Sequence, residues 1–368
     1  MLRKIVFVIA ALWCSSLPAF SQSPESETAF KNDYPAGTPR VKAACSLPPI
    51  RFIIDRIGGE FVDSISLIPA GYDPHTFEPK SSQLAIFSQA DIYFNLGTPV
   101  EEVWLGRLGS LDGKLQVVDL IEPLVHDRLL LANAHGYTPS GFAGAGKMKT
   151  SGEADGKTVG GKTNPAEAGA SASEGGQGPA AANTPAAHSA QEHLGHEHHD
   201  YDGNDPHVWM SPTLLKRLAA VVCAGLSEQM PEQAAYFDKN YQALVAQIDA
   251  VDADAKSLLA GLPESKRIFL VFHPSWSYFA REYALTQMAV EHDGKEPTPT
   301  SLAITIQEAR SKGISVIFVQ KEFNTGVAET VAAHLPGGRV ELLDPLGYNP
   351  LQAIREAAAA ISSQGDTK

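Results

Sequence analysis

Three histidines and one aspartate lie where they could bind a metal ion. His75 follows the apolar segment 61–68, His207 lies in the sequence Asp-Pro-His-Val-Trp, and His273 and Asp344 each come directly after an apolar segment. Zn²⁺ prefers tetrahedral sets of imidazole, carboxylate and thiolate ligands, which three histidines and one aspartate satisfy. These residue types therefore predict a zinc site.

Each of these residues also has a simpler interpretation when it is taken alone. A histidine next to a proline is often only a turn residue, and an aspartate before a proline is often only a cap. Two features favour ligation: His75, His273 and Asp344 follow predicted strand ends, and Asp-Pro-His occurs twice, at His75 and at His207, which follows the predicted loop. Proline restricts the backbone of the residue before it, which suits a ligand held in place before the metal arrives.

The segments that would position these residues alternate between strand-like and helix-like patterns. The predicted strands cover 41–45, 61–68, 91–96, 115–120, 267–272, 285–290, 314–320 and 340–343. The predicted helices cover 49–57, 81–90, 100–108, 212–226, 275–283, 301–312, 325–335 and 351–362, with one long helix starting near Pro231 and ending at Gly261. Strands alternating with helices indicate an α/β fold of two lobes, each a mostly parallel sheet with flanking helices, joined by one long backbone helix. Ligands of such sheets bind beyond the carboxyl ends of the strands.

The predicted organisation has four parts. Residues 1–21 form a signal peptide, 38–228 an N-terminal α/β lobe, 229–262 the linking helix and 263–365 a C-terminal α/β lobe. Within the first lobe, residues 139–204 are rich in Gly, Ala and Ser and poor in large apolar residues, so we expect a disordered loop. The end of this loop contains a cluster of candidate auxiliary metal ligands: His188, His193, His196, His198 and His199.

The N-terminus and the net charge narrow the class of protein. Arg3 and Lys4 precede a short apolar run and a small-residue stretch, which is the layout of a secretory signal peptide and predicts a periplasmic protein. Cleavage after residue 21 would remove those two positive charges and no acid, taking the formal net charge from -13 to -15. So acidic a chain repels nucleic acid, and we expect a monomeric protein that binds a metal ion and no nucleic acid.

Two cysteines remain after the predicted cleavage, Cys45 and Cys223. In an oxidising compartment they could form a disulfide or stay as buried free thiols, and the sequence leaves both alternatives open. Neither cysteine has the close spacing of a thiolate metal site.

Several motifs together resemble one family of proteins. They are Gly71 to Ser82, Ala90-Asp91, Asp205 to Trp209 behind the histidine-rich loop, Phe272 to Ala280 and Leu343 to Gly347. These segments are similar to the zinc-specific, ZnuA-like branch of the metal-binding solute-binding proteins of ABC importers. The resemblance implies Zn²⁺ held in a cleft between the lobes by His75, His207, His273 and Asp344, although family members differ in the fourth ligand. It also implies delivery of the metal to the membrane permease of an ABC importer, without enzymatic activity.

Two other classes of protein are consistent with the same residues. A zinc hydrolase also uses three protein ligands with an open fourth position, but the chain has no His-Glu-x-x-His and no glutamate adjoining a predicted ligand. A metal buffer or chaperone would work mainly through the histidines of the loop. Deleting residues 139–202 would distinguish a metal buffer from a transport protein, because loss of all tight metal binding would favour the buffer.

Overall fold

The computed structural model describes residues 29–30, 40–108, 115–131, 204–291, 297–323 and 325–364. The predicted signal peptide, the five histidines of the predicted loop and all of that loop except residue 204 lie outside these ranges.

The first lobe is built on a sheet of four parallel strands in the order β2-β1-β3-β4. The strands are β1 (Val41–Cys45), β2 (Val62–Ser66), β3 (Ile92–Asn95) and β4 (Gln116–Asp119), and the helices are α1 (Pro48–Gly58), α2 (Ser81–Phe87), α3 (Pro99–Leu108) and α4 (Glu122–His126). Every residue of β2 is buried. A strand covered on both faces favours apolar or small side chains, and in β2 the buried Asp63 is the exception.

Two helices follow in the chain, α5 (Pro212–Gln229) and α6 (Ala234–Ala260). Ser211 caps α5 by accepting a hydrogen bond from the Leu214 backbone N–H. The 27 residues of α6 extend about 40 Å at 1.5 Å per residue. Its buried positions recur every three, four or seven residues, and they are Phe237, Leu244, Ile248, Val251, Ala255 and Leu259. The predicted long helix is therefore confirmed.

The second lobe repeats the architecture with four parallel strands in the order β6-β5-β7-β8. The strands are β5 (Ile268–Val271), β6 (Thr286–Ala289), β7 (Val316–Val319) and β8 (Arg339–Leu342), and the helices are α7 (Ser277–Glu282), α8 (Pro299–Ser311), α9 (Thr325–Ala333) and α10 (Pro350–Ser362). In both sheets the chain moves outward from a central strand to one edge and then to the other. This order creates a switch point at the carboxyl ends of the strands, where ligands bind.

Helix α6 packs against α1 and α5 of the first part of the chain and against α10 near its C-terminus. Polar contacts reinforce this packing: the Arg56 guanidinium donates to Gln247 over 2.8 Å, and the Asn240 amide donates to the Ile57 carbonyl over 3.0 Å. The predicted fold class of two parallel sheets with flanking helices and a long helix between them is confirmed. No helix within the described ranges combines the length and the apolar character needed to cross a membrane.

Both Cys45 and Cys223 are free, buried thiols, so the disulfide alternative is wrong for this structure. Cys45 ends β1 inside the core, where its Sγ donates to the carbonyls of Leu47 and Ile65 over 3.4 and 3.5 Å. Cys223 is part of α5. Burial raises the pKa of each thiol, which keeps both protonated and unreactive.

Candidate metal site

His75, His207 and His273 lie together although 132 residues separate the first two in the sequence. One ring nitrogen of each lies within 4.8 Å of the others, and this is the one group of three such ligands among the described residues. The His273 ring centroid is 5.2 Å from that of His75 and 5.4 Å from that of His207. Three imidazole nitrogens at this spacing can be bridged by one metal ion.

His75 is held by the turn that follows β2. Gly71 has a φ of +85°, a conformation that favours glycine, and it lies at the start of this turn. The Asp73 carboxylate accepts from the His75 backbone N–H over 2.9 Å and from the Thr76 hydroxyl over 3.1 Å. The His75 side chain itself remains exposed at the cavity. Asp-Pro-His therefore works as a local turn that presents the imidazole.

His207 is held by the second Asp-Pro-His. The Asp205 carboxylate accepts from the His207 backbone N–H over 2.9 Å and lies 2.7 Å from its Nδ1. Both residues are buried. Tyr278 of α7 donates its hydroxyl to the Asp205 carbonyl over 2.7 Å, which ties this segment to the second lobe. When Nδ1–H donates to Asp205, the lone pair of Nε2 is left for a metal.

His273 comes two residues after the last residue of β5 and is only 6% exposed. Its Nδ1 lies 2.8 Å from Oε2 of Glu291, at the end of β6, the strand next to β5. Its ring stacks on Phe323 with centroids 5.3 Å apart and planes 22° apart. Its Nε2 is buried without a hydrogen-bond partner. A buried polar nitrogen without a partner carries a desolvation cost that a metal ion would remove.

The three histidines line a cavity of about 190 Å³. Its wall includes apolar side chains and a few polar ones from both lobes, among them Ser46, Thr98, Trp209, Gln320, Glu322 and Leu346. The Trp209 indole donates to the Pro345 carbonyl over 2.7 Å, which holds one wall in place. A cavity this small suits a metal ion with its nearest waters.

Two ionisable groups at the site, His75 and Asp205, have pKa values shifted in directions that favour binding of a cation. Desolvation, and next the proximity of His273, lower the pKa of His75 even though part of its side chain is exposed. Burial by itself would raise the pKa of Asp205, but the charge and hydrogen bonds of His207 lower it below its usual range. His75 is thus neutral near neutral pH, which is the state that a metal ligand needs. Asp205 is ionised, which is the state that it needs to accept a hydrogen bond from His207.

The fourth predicted ligand, Asp344, is not part of the compact histidine group. Its Oδ2 accepts from the Lys321 ammonium over 2.9 Å, and its Oδ1 accepts from the Leu346 backbone N–H over 3.1 Å. The sequence reasoning placed Asp344 at a strand end but did not include Lys321, which follows the neighbouring strand β7. Both oxygens of Asp344 are therefore engaged.

The sequence reasoning missed three carboxylates at the site: Asp205 as a partner of His207, Glu291 as a partner of His273, and Glu322 in the cavity wall. Asp205 could have been found from the repeated Asp-Pro-His, in which the aspartate is always two residues before the ligand. Glu291 and Glu322 each follow the end of a strand, so the rule that selected His273 also applies to them.

Comparison with known proteins relates this chain to zinc uptake. Residues 44–362 match the family described as "ZnuA: Zinc-uptake complex component A periplasmic". The chain is 29% identical over 144 residues to "High-affinity zinc uptake system protein ZnuA" of Bacillus subtilis, covering 39% of this chain and 44% of that protein. It is 22% identical over 348 residues to "Zinc-binding lipoprotein AdcA" of Streptococcus pneumoniae, covering 94% of this chain and 56% of that protein. The matches thus span about half the length of these curated relatives.

The fold also matches a solved structure described as "Crystal structure of ZnuA". The TM-score is 0.64 at 27% sequence identity, and the match covers 88% of this chain and 99% of the other. The family match extends over most of the sequence and includes His75, His207 and His273. The chain therefore belongs to the ZnuA family, the periplasmic component A of zinc-uptake complexes.

Proposed function

We propose that this protein captures Zn²⁺ outside the cytoplasmic membrane and delivers it to an ABC importer. The observation that carries the proposal is the convergence of three imidazole nitrogens within 4.8 Å on one small cavity. Three nitrogen ligands with a fourth position left over form a donor set that Zn²⁺ prefers, whereas Mg²⁺ and Ca²⁺ prefer oxygen.

The arrangement of the buried histidines supports a binding role. His207 and His273 each direct Nδ1 at a carboxylate, at 2.7 and 2.8 Å, so each presents Nε2 to the cavity. Such carboxylate partners fix the ring orientation and raise the basicity of the ligand. A site organised in this way before the metal arrives loses little entropy on binding.

Delivery to a permease and location in the periplasm are supported by the family description and by the names of the relatives, one of which is a zinc uptake system protein. The signal-peptide pattern at residues 1–21 also supports a location in the periplasm. We further propose that the histidine-rich segment collects Zn²⁺ at weak sites and passes it to the cavity. Histidines on a polar segment with few large apolar residues lose conformational entropy when they bind a metal, and this loss weakens each site.

Zinc titration of single variants tests the proposal. His273→Ala should lose most of the affinity for the first equivalent of Zn²⁺, because it removes a buried ligand. His334→Ala is a matched control, since this histidine is exposed directly after α9 and its Nδ1 contacts the Thr330 carbonyl over 2.8 Å. Equal affinity of both variants would show that Zn²⁺ binds elsewhere.

The hydrolase alternative is distinguished by turnover. Peptide and phosphoester substrates should remain intact in the presence of the zinc-loaded protein. Hydrolysis that disappears in His273→Ala would replace the transport proposal with a catalytic one.

A further inference from the structure

This inference rests on the proposed function and concerns the fourth ligand of the bound Zn²⁺. The three histidines supply three nitrogens, and protein-bound zinc is usually four-coordinate. Two of these imidazoles are buried, so a negatively charged ligand would also offset the charge of a Zn²⁺ ion in the cavity.

The carboxylates near the histidines can be sorted by whether their oxygens are already used. Asp205 and Glu291 accept from the two buried histidines. Asp73 accepts from a backbone N–H with Oδ1 and from a hydroxyl with Oδ2. Asp344 accepts from an ammonium with Oδ2 and from a backbone N–H with Oδ1. Both oxygens of Asp73 and of Asp344 are therefore engaged, whereas Asp205 and Glu291 lie at Nδ1 of the histidine rings rather than at the Nε2 left for the metal.

Glu322 differs from these four carboxylates. It lines the same cavity as the three histidines, and its Oε2 is buried without a hydrogen-bond partner. The next residue, Phe323, stacks on the His273 ring with the two centroids 5.3 Å apart. This contact holds the backbone next to Glu322 close to one of the proposed metal ligands. Burial, and to a smaller extent Asp344 and Asp73, raise the pKa of Glu322, although its own backbone N–H and the Lys321 ammonium act in the opposite direction.

We propose that Glu322 turns toward the histidines when Zn²⁺ enters and supplies the fourth ligand. Its carboxylate is not in the compact group of nitrogens, so the side chain must rotate to reach the metal. A glutamate can do this through its rotatable bonds, and its Oε2 gives up no hydrogen bond in doing so. The second observation that points to a ligand here is the buried, unpartnered Nε2 of His273 in the same cavity.

The test compares two isosteric variants of the full chain, Glu322→Gln and Asp344→Asn. Each removes one negative charge near the cavity, so the pair separates ligation from a general effect of charge. Affinity is measured by competition with a chromophoric chelator at no more than one equivalent of Zn²⁺, where the tightest site fills first. A crystal structure of the zinc-bound protein gives the ligand atoms directly.

We expect Glu322→Gln to weaken Zn²⁺ binding at least about tenfold, and Asp344→Asn to change it by less than about threefold. A Glu322 oxygen should lie about 2.0–2.2 Å from the metal in the crystal structure. The metal-free Glu322→Gln protein should be no less heat-stable than wild type, because Oε2 has no partner to lose.

The inference is overturned if Glu322→Gln binds within about threefold of wild type, or if both variants weaken binding equally. His273→Ala, measured beside them, separates this failure from failure of the proposed function. If His273→Ala loses affinity while Glu322→Gln does not, only the role of Glu322 is wrong. If neither loses affinity, the histidine site itself is wrong.

Discussion

The hydrogen bond between His273 and Glu291 allows a quantitative prediction about a residue that is not itself a proposed metal ligand. Both side chains are buried, and the Glu291 Oε2 lies 2.8 Å from Nδ1 of the histidine. Glu291→Gln keeps the shape and an acceptor oxygen but removes the negative charge. A hydrogen bond to a charged group contributes about 1.5–3 kcal/mol and a neutral one about 0.5–1.5 kcal/mol. The difference of about 1–1.5 kcal/mol corresponds to about tenfold weaker Zn²⁺ binding, which agrees with the range for outer partners of metal ligands.

The assay is chelator competition at pH 7.5 with at most one equivalent of Zn²⁺. Glu282→Gln is the matched control: this carboxylate accepts from the hydroxyls of Ser211 and Thr213 and has no contact with a histidine of the site. The control should lose stability without losing zinc affinity. If Glu291→Gln binds Zn²⁺ within about twofold of wild type, the negative charge of Glu291 does not contribute to ligation by His273.

Four further predictions concern pH, the segment 139–202 and the choice of metal. Zinc affinity should fall steeply as pH drops from 7.5 to 5, because the ligand histidines must be neutral; a flat profile in the titration would contradict a histidine site. Because the pKa of His75 is lowered in the folded state, the unfolded chain binds a proton more readily, and the metal-free protein should lose thermal stability as pH falls through about 6.5. The loss measured by thermal unfolding should be smaller in His75→Asn. Deleting residues 139–202 should leave one tight site and remove the weak ones, so an unchanged stoichiometry in calorimetry would refute a collecting role for this segment. His273→Glu should weaken Zn²⁺ and narrow its advantage over Mn²⁺, measured by competition in the same deletion background, because carboxylate oxygens suit Mn²⁺ better.

The secondary structure could be predicted well because its determinants are local. Runs of apolar residues bounded by Gly and Pro indicate buried strands, and a three- and four-residue repeat indicates a helix. The ends of the strands and helices were predicted less accurately. The strand predicted to begin at Phe61 begins at Val62, because residues 59–61 form a separate 3₁₀ turn. The predicted helix from near Pro231 likewise divides into a 3₁₀ turn and α6.

The candidate site could be predicted in part. His75 and His273 were found because strand ends in α/β sheets are where ligands bind, and His207 from the second Asp-Pro-His; the structure brings all three together. Asp344 satisfied the same rule, yet its carboxylate pairs with Lys321, 23 residues away in the sequence. No local pattern indicates such a pairing, because it depends on which strands become neighbours in the sheet.

The sequence alone determined the type of fold, the kind of metal chemistry and the two Asp-Pro-His turns, because periodicity, donor type and backbone restriction act over a few residues. Asp205 is local to His207, but only the tertiary structure decided which carboxylates from distant segments lie near the histidines. Glu291 reaches His273 because β6 pairs with β5, and the Oε2 of Glu322 is left without a partner in the same cavity. Hydrogen bonds and charge pairs depend on distances of a few ångströms between segments far apart in the chain, and the packing of the two sheets and helices sets those distances.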